Sequence, residues 1–255
     1  MTHALTRRNA LALGAAALFA KPCFADVPRP VIVELFTSQG CSSCPPADAF
    51  LETLTGRPGI VVLSYHVDYW DYLGWRDTLG SAEYSQRQYD YAKSRGDSNV
   101  YTPQMIINGG THFVGSQTSK VSAGIAEARA HGAPWIDIAM SDNKTDIMID
   151  IAAGAPMNKA TLWLMAFSPS ISTDIKKGEN AGKTIAYHNV VRKMVPAGMW
   201  HGAPSKIVLP REGVIPEDCK SWVALQAAPD YFTILYFKWV MWGELTARSQ
   251  VSSIG

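Results

Sequence analysis

Val31-Ile32-Val33-Glu34-Leu35-Phe36-Thr37-Ser38-Gln39-Gly40-Cys41-Ser42-Ser43-Cys44-Pro45-Pro46 leads an apolar run into two cysteines separated by two serines. The run reads as a strand buried on both faces, because its apolar residues are continuous rather than alternating. A Cys-x-x-Cys between a strand and a helix start is a candidate redox site. The first thiol can attack as thiolate while the second closes the disulfide and resolves the mixed species. In this reading Cys41 is the nucleophile, reachable by a partner's disulfide, and Cys44 the resolver. A permanent structural disulfide, or half of a zinc site, would need the same two residues. Zinc asks for two further ligands, and the chain has no second Cys-x-x-Cys or histidine pair at metal spacing.

Outward from the motif, the pattern alternates. Pro46 to about Leu54 reads as a short helix stopped near Gly56-Arg57-Pro58-Gly59, and Ile60–Tyr65 as a second buried strand. Two prolines after Cys44 place one of them near the first helical position and Cys44 close to the N-cap. Ser81 offers an N-cap for a polar helix through Arg95, closed by Gly96. Asn108-Gly109-Gly110 between Gln104–Ile107 and Thr111–Val114 is a hairpin signal, since Asn-Gly accepts positive φ. Thr118 to about Ala130 reads as a closing helix. The predicted order is strand, helix, strand, helix, strand, strand, helix.

From Ala133 the texture changes. Trp135–Met140, Thr145–Ile151, Thr161–Ala166, Ala186–Val195, Lys206–Leu209, Trp222–Gln226 and Thr233–Trp239 are strand-like, with no helix among them. The expected fold class is α/β: one α/β domain over 28–132, then an antiparallel β-rich, sandwich-like domain over 133–255.

Composition narrows the function. Residues 1–25 carry Thr6-Arg7-Arg8, an uncharged stretch from Asn9 to Ala20, Lys21 and Cys23-Phe24-Ala25, the layout of a signal peptide with a twin-arginine flavour. Removing its Arg7, Arg8 and Lys21 from the 23 Lys and Arg leaves 20 against 22 Asp and Glu. That balance leaves no footprint for nucleic acid, and no later stretch is apolar enough for stable membrane insertion. The expected location is the periplasm or the secreted space. There Cys219 is left over as an odd thiol, either buried or a second reactive group.

Three strings now identify a family. Phe36 to Asp48, His66-Val67-Asp68-Tyr69-Trp70-Asp71-Tyr72-Leu73-Gly74-Trp75, and Tyr101-Thr102-Pro103-Gln104 resemble an exported bacterial family of unknown function (domain of unknown function 1223). More broadly, the strand, the Cys-x-x-Cys, Thr102-Pro103 and the Asn-Gly hairpin resemble the thioredoxin-like superfamily. That resemblance implies a thioredoxin-like fold and a cis Thr102–Pro103 bond that positions a partner's backbone. It also implies a buried acid that relays a proton to the resolving thiol. Glu34, seven residues before Cys41, is the candidate acid; the alternative is a solvent-facing strand glutamate. The redox centre would be the Cys41–Cys44 disulfide itself, with no other cofactor, and the partners would be protein thiols or disulfides of the cell envelope.

The loop after the second strand carries His66 and Asp68 beside Trp70 and Trp75. Loops at the carboxyl ends of such strands line ligand sites, so these residues form a substrate wall, or His66 serves as proton shuttle or metal ligand. The bland alternative is a packed loop whose acids cap turns. A rival function is soft-metal binding, with Cys41, Cys44 and His66 or His112 holding copper(I). A third is a non-catalytic binding protein with a structural disulfide.

Overall fold

The computed structural model describes residues 30–131, 136–143, 145–154, 160–216 and 219, and the backbone of 221–227 and 234–241. The predicted leader at 1–25 and the predicted domain junction at 132/133 lie outside these residues.

The first half follows the predicted order: β1 (Val31–Thr37), α1 (Pro45–Leu54), β2 (Ile60–His66), α2 (Ala82–Arg95), β3 (Gln104–Ile107), β4 (Thr111–Val114) and α3 (Thr118–His131). β1 lies parallel to β2 and antiparallel to β3, and β3 pairs with β4 through the Asn-Gly turn. Asn108 and Gly109 both adopt positive φ there, as that turn requires. Local chemistry sets the helix ends. Ser81 accepts from the Glu83 N–H at the start of α2, and Gly96 closes it in the left-handed conformation.

Every residue of β1 and β2 is buried, because the central strands are covered on both faces. Val31, Val33 and Leu35 join Ala47, Leu51 and Leu54 of α1 and Val121 and Ile125 of α3 in one core. Ile32 and Phe36 point the other way, into a core with Tyr84 and Tyr91 of α2. This period-two division of β1 decides which face of the molecule each of its side chains serves.

The second half is β-rich and continues the first sheet. β5 (Ile138–Asp142), β6 (Asp146–Ile151) and β9 (Ser205–Pro210) make a three-stranded sheet, while β7 (Ala160–Asp174), β8 (Thr184–Trp200), β10 (Ser221–Ala227) and β11 (Ile234–Met241) extend the first one. The result is an eight-stranded mixed sheet in the order β11-β10-β7-β8-β2-β1-β3-β4. The join is β2 to β8, parallel at Ser64 and Val190. Ser64 Oγ donates to the His188 carbonyl (3.0 Å), and Asn189, at φ 47°, donates through Nδ2 to the Val62 carbonyl (2.9 Å). β8 thereby covers an edge that β2 would otherwise expose, which is the physical reason the two halves share a sheet.

The sandwich expectation holds one layer out. Ile138, Met140, Ile147, Ile149 and Ile151 of the small sheet pack on Leu162, Leu164 and Trp200 of β7 and β8. β7 and β8 are far longer than predicted, since the polar run 168–174 continues as strand and carries a hairpin tip at 175–183 back to the motif. Among the described residues no helix is long and apolar enough to cross a membrane.

Candidate functional site

The cysteine motif forms a tight turn between β1 and α1. The Cys41 N–H donates to the Ser38 carbonyl (3.2 Å), and the Cys44 N–H to the Cys41 carbonyl (3.2 Å). Cys44 is the N-cap of α1, and Pro45 and Pro46 occupy the first helical positions, where no backbone N–H is needed. Cys41 and Cys44 are joined as a disulfide with Cα atoms 5.4 Å apart. Contrary to the expected reach of a partner, Cys41 is only 2% exposed and Cys44 fully buried; the exposed residues are Ser42 and Ser43.

The cover comes from the far half of the chain. At the tip of the β7–β8 hairpin, buried Asn180 donates through Nδ2 to the Gln39 carbonyl (3.0 Å) and the Cys41 carbonyl (2.9 Å). Its Oδ1 accepts from Lys183 Nζ (2.9 Å). Beside it, Glu179 accepts from the Ser42 N–H (3.1 Å), a contact that holds its carboxyl below the usual range. Nothing in the local sequence of 178–182 points to this role. It depends on a strand pairing more than a hundred residues from the motif.

The Thr102–Pro103 bond is cis. Trp70 donates through Nε1 to Thr102 Oγ1 (2.7 Å), and the exposed Tyr72 ring stacks on Trp70 at 6.4 Å. A Cβ on Gly115 would stand 2.9 Å from Ala47 Cβ and 3.3 Å from Pro103 Cβ, so the absence of a side chain there lets the cis-proline loop approach α1. Pro103 is thus brought close to the first turn of α1.

Glu34 is not. It is buried on the α2 face of β1, opposite α1, where its carboxylate accepts from Arg87 Nε (3.0 Å) and Nη2 (2.8 Å) and from the Tyr91 hydroxyl. Arg87 in turn lies over the Tyr65 and Tyr91 rings, at 5.5 and 4.9 Å. Burial pulls the guanidinium pKa down, but Glu34 and the tyrosines more than reverse that. Glu34 is therefore a structural ion-pair partner, and neither of the two sequence readings describes it.

Another buried acid is Asp48, one helical turn after Cys44, whose carbonyl accepts the Asp48 N–H (3.1 Å). Asp48 accepts from Thr37 Oγ1 (3.1 Å). Burial pushes its pKa up to about 7, against the downward pull of His66 and of the Thr37 hydroxyl. His66 is fully buried at the end of β2, its Nδ1 2.9 Å from Asp77 Oδ2. Asp77 also accepts from the Gln39 N–H (2.7 Å) and the Leu79 N–H (2.8 Å). Burial favours the neutral acid at Asp77, but His66 and these hydrogen bonds outweigh it and hold the carboxyl below its ordinary pKa. Asp48 lay unremarked in the quoted motif string; the i, i+4 spacing from Cys44 was the signal that could have found it.

The remaining candidates are scattered. Asp68 accepts from Ser85 Oγ (2.6 Å) at the start of α2 and so behaves as a turn acid. His112 lies against the Tyr101 hydroxyl (2.9 Å) and 3.8 Å from Asp97, away from the cysteines, with burial depressing its pKa. Cys219 is buried in the second core, 3.9 Å from Ser168 Oγ. Among the described residues no three His, Cys, Asp or Glu side chains are grouped as a metal site.

Residues 32–226 match the family described as "Protein of unknown function (DUF1223)", and the chain belongs to that family. It is similar to a crystal structure of a protein from Agrobacterium tumefaciens at 32% identity and a TM-score of 0.71, over 84% of this chain and 95% of that one. HBP35 of Porphyromonas gingivalis shares the fold, at 12% identity and a TM-score of 0.59, over 85% of this chain and 76% of that one. None of the curated proteins compared with it matches.

Proposed function

We propose that this member of the family is a thioredoxin-like thiol–disulfide oxidoreductase, exported by its leader and acting on protein thiols or disulfides of the cell envelope. The observation that carries the reading is the Cys41–Cys44 disulfide at the N-terminus of α1, with the cis Thr102–Pro103 loop drawn toward that helix across Gly115.

A partner thiolate attacks Cys41 Sγ; the Cys41–Cys44 bond breaks and Cys44 leaves as thiolate. The partner's second thiolate then attacks its own sulfur in the mixed disulfide and releases Cys41. One partner dithiol is oxidised and one protein disulfide reduced, and the reverse sequence oxidises a partner. Thr102 and Pro103 position the partner's backbone. The positive end of the α1 dipole favours a thiolate at the motif.

Two measurements test this. Thiol labelling with mass spectrometry should show Cys41 and Cys44 opening under mild dithiol reduction. A Cys44→Ser variant should accumulate mixed disulfides through Cys41 with envelope proteins. A pair that stays closed to mild reductants, or a variant that traps nothing, refutes the proposal.

A further inference from the structure

The chain itself occludes its disulfide. Cys41 is 2% exposed, and exchange begins only when a partner sulfur reaches Cys41 Sγ. The hairpin tip at 175–183 stands over the motif loop and holds it through side chains. Asn180 uses both hydrogens of its Nδ2 group on main-chain carbonyls, those of Gln39 (3.0 Å) and Cys41 (2.9 Å). Lys183 fixes the sense of that amide by donating to its Oδ1 (2.9 Å). The exposed Glu179 carboxylate accepts the Ser42 N–H (3.1 Å).

These bonds reproduce what the edge of a strand offers. In an extended chain one residue presents both its N–H and its C=O to the same neighbouring strand. The Gln39 and Cys41 carbonyls require N–H donors, and the Ser42 N–H requires an acceptor. Asn180 supplies an amide for the first two and Glu179 a carboxylate oxygen for the third.

The tip is also built to leave as a unit, because its main-chain hydrogen bonds close within it. The Ile175 N–H donates to the Lys183 carbonyl (2.9 Å), the Gly182 N–H to Ile175 (2.8 Å) and the Lys183 N–H to Asn180 (3.1 Å). Gly178, at φ 77°, rests on the loop after β2, where a Cβ would stand 3.2 Å from Trp75 Cβ. Lifting the tip breaks none of its own backbone pairing, but it strips three main-chain groups of the motif loop of their partners. An occupant that pairs them again offsets that loss.

We propose that the tip is an internal stand-in for the partner. An extended polypeptide segment lifts it and pairs its own N–H and C=O groups with Gln39, Cys41 and Ser42 while its sulfur reaches Cys41. The proposal rests on the thiol–disulfide reading above. It makes the partner a chain that is extended around its cysteine rather than folded there. The atoms involved are not those of the Thr102–Pro103 loop, where Thr102 Oγ1 is engaged by Trp70 (2.7 Å). Small thiols carry no strand and enter only when the tip opens unaided.

The test joins a short cysteine peptide, carried as its thionitrobenzoate disulfide, to the Cys44→Ser chain. The Cys41 thiolate attacks the peptide sulfur, expels thionitrobenzoate and leaves the peptide linked to Cys41. NMR of the isotope-labelled protein then compares solvent exchange at two amides before and after the peptide is attached. The Asn180 side-chain amide should exchange roughly tenfold faster once displaced, while the Ser42 N–H stays protected by a peptide carbonyl. An Asn180 amide that stays protected overturns the proposal. So does a Ser42 N–H that becomes as open as Asn180, since the tip would then lift without being replaced. If no mixed disulfide forms, the thiol–disulfide reading falls and the proposal with it.

The natural chain decides the matter even if that variant does not fold. An extended dithiol peptide should reduce Cys41–Cys44 about fivefold faster than the same peptide with ester oxygens in place of the N–H groups flanking its first cysteine. Equal rates overturn the proposal, and no reduction by either peptide removes the thiol–disulfide reading beneath it.

Discussion

Replacing Asp48 by Asn should stabilise the oxidised protein at alkaline pH and leave it nearly unchanged at acid pH. Asp48 is 4% exposed, and its pKa is raised from 3.8 to about 7, chiefly by burial. A carboxyl raised on folding keeps its proton longer in the folded chain than in the unfolded one. Its contribution to stability is therefore complete below about pH 4 and is lost as pH rises through 7. Each pH unit in that window is worth about 1.4 kcal/mol, so ionising the folded carboxyl sets a ceiling of roughly 4 kcal/mol by pH 8.5. The expected effect is about 2–4 kcal/mol.

Asn has the shape of the protonated acid and can still accept from Thr37, so the variant escapes the alkaline loss. Guanidinium unfolding with the disulfide intact, at pH 5 and pH 8.5, gives the two differences. Titrating groups that do not interact with Asp48 are common to both proteins and cancel in the comparison. A variant advantage that does not grow by at least about 1 kcal/mol between the two pH values refutes the argument. So does one that grows toward acid.

Two further perturbations probe the other buried features. Arg87→Met strands the Glu34 carboxylate and should lower stability by about 3–5 kcal/mol, whereas adding Glu34→Gln should recover most of it; a loss under about 1 kcal/mol in denaturant unfolding would show that the pair contributes little. Asn180→Ala removes both hydrogen bonds that tie the hairpin tip to the motif loop, about 1–2 kcal/mol together, so reduction of Cys41–Cys44 by dithiothreitol should become roughly tenfold faster. An unchanged or slower rate would mean that the tip does not guard the disulfide.

Much of the site was legible in the chain because the chemistry that sets it is local. The N-cap at Ser81, the stop at Gly96, the Asn-Gly turn and the start of α1 at Cys44 each depend on a few adjacent residues. The role of Glu34 was not legible. β1 is buried on both faces, so no alternation in its sequence says which helix its acid will meet, and Arg87 lies 53 residues away. His66 was visible after the second strand, but its pairing with Asp77 depends on how the loop after β2 folds back.

The sequence by itself determined the strand, the dithiol turn and the helix, since turn geometry and capping act over a few residues. Only the tertiary structure decided that β8 lines up beside β2, so that two halves share one sheet and a distant hairpin places Asn180 over the cysteines. It also decided that Glu34 meets Arg87 on the α2 face, while Asp48 is buried one turn along α1 from Cys44. Those outcomes follow from which edge is covered and which face is buried, and burial is a property of the assembled sheet, not of any segment in it.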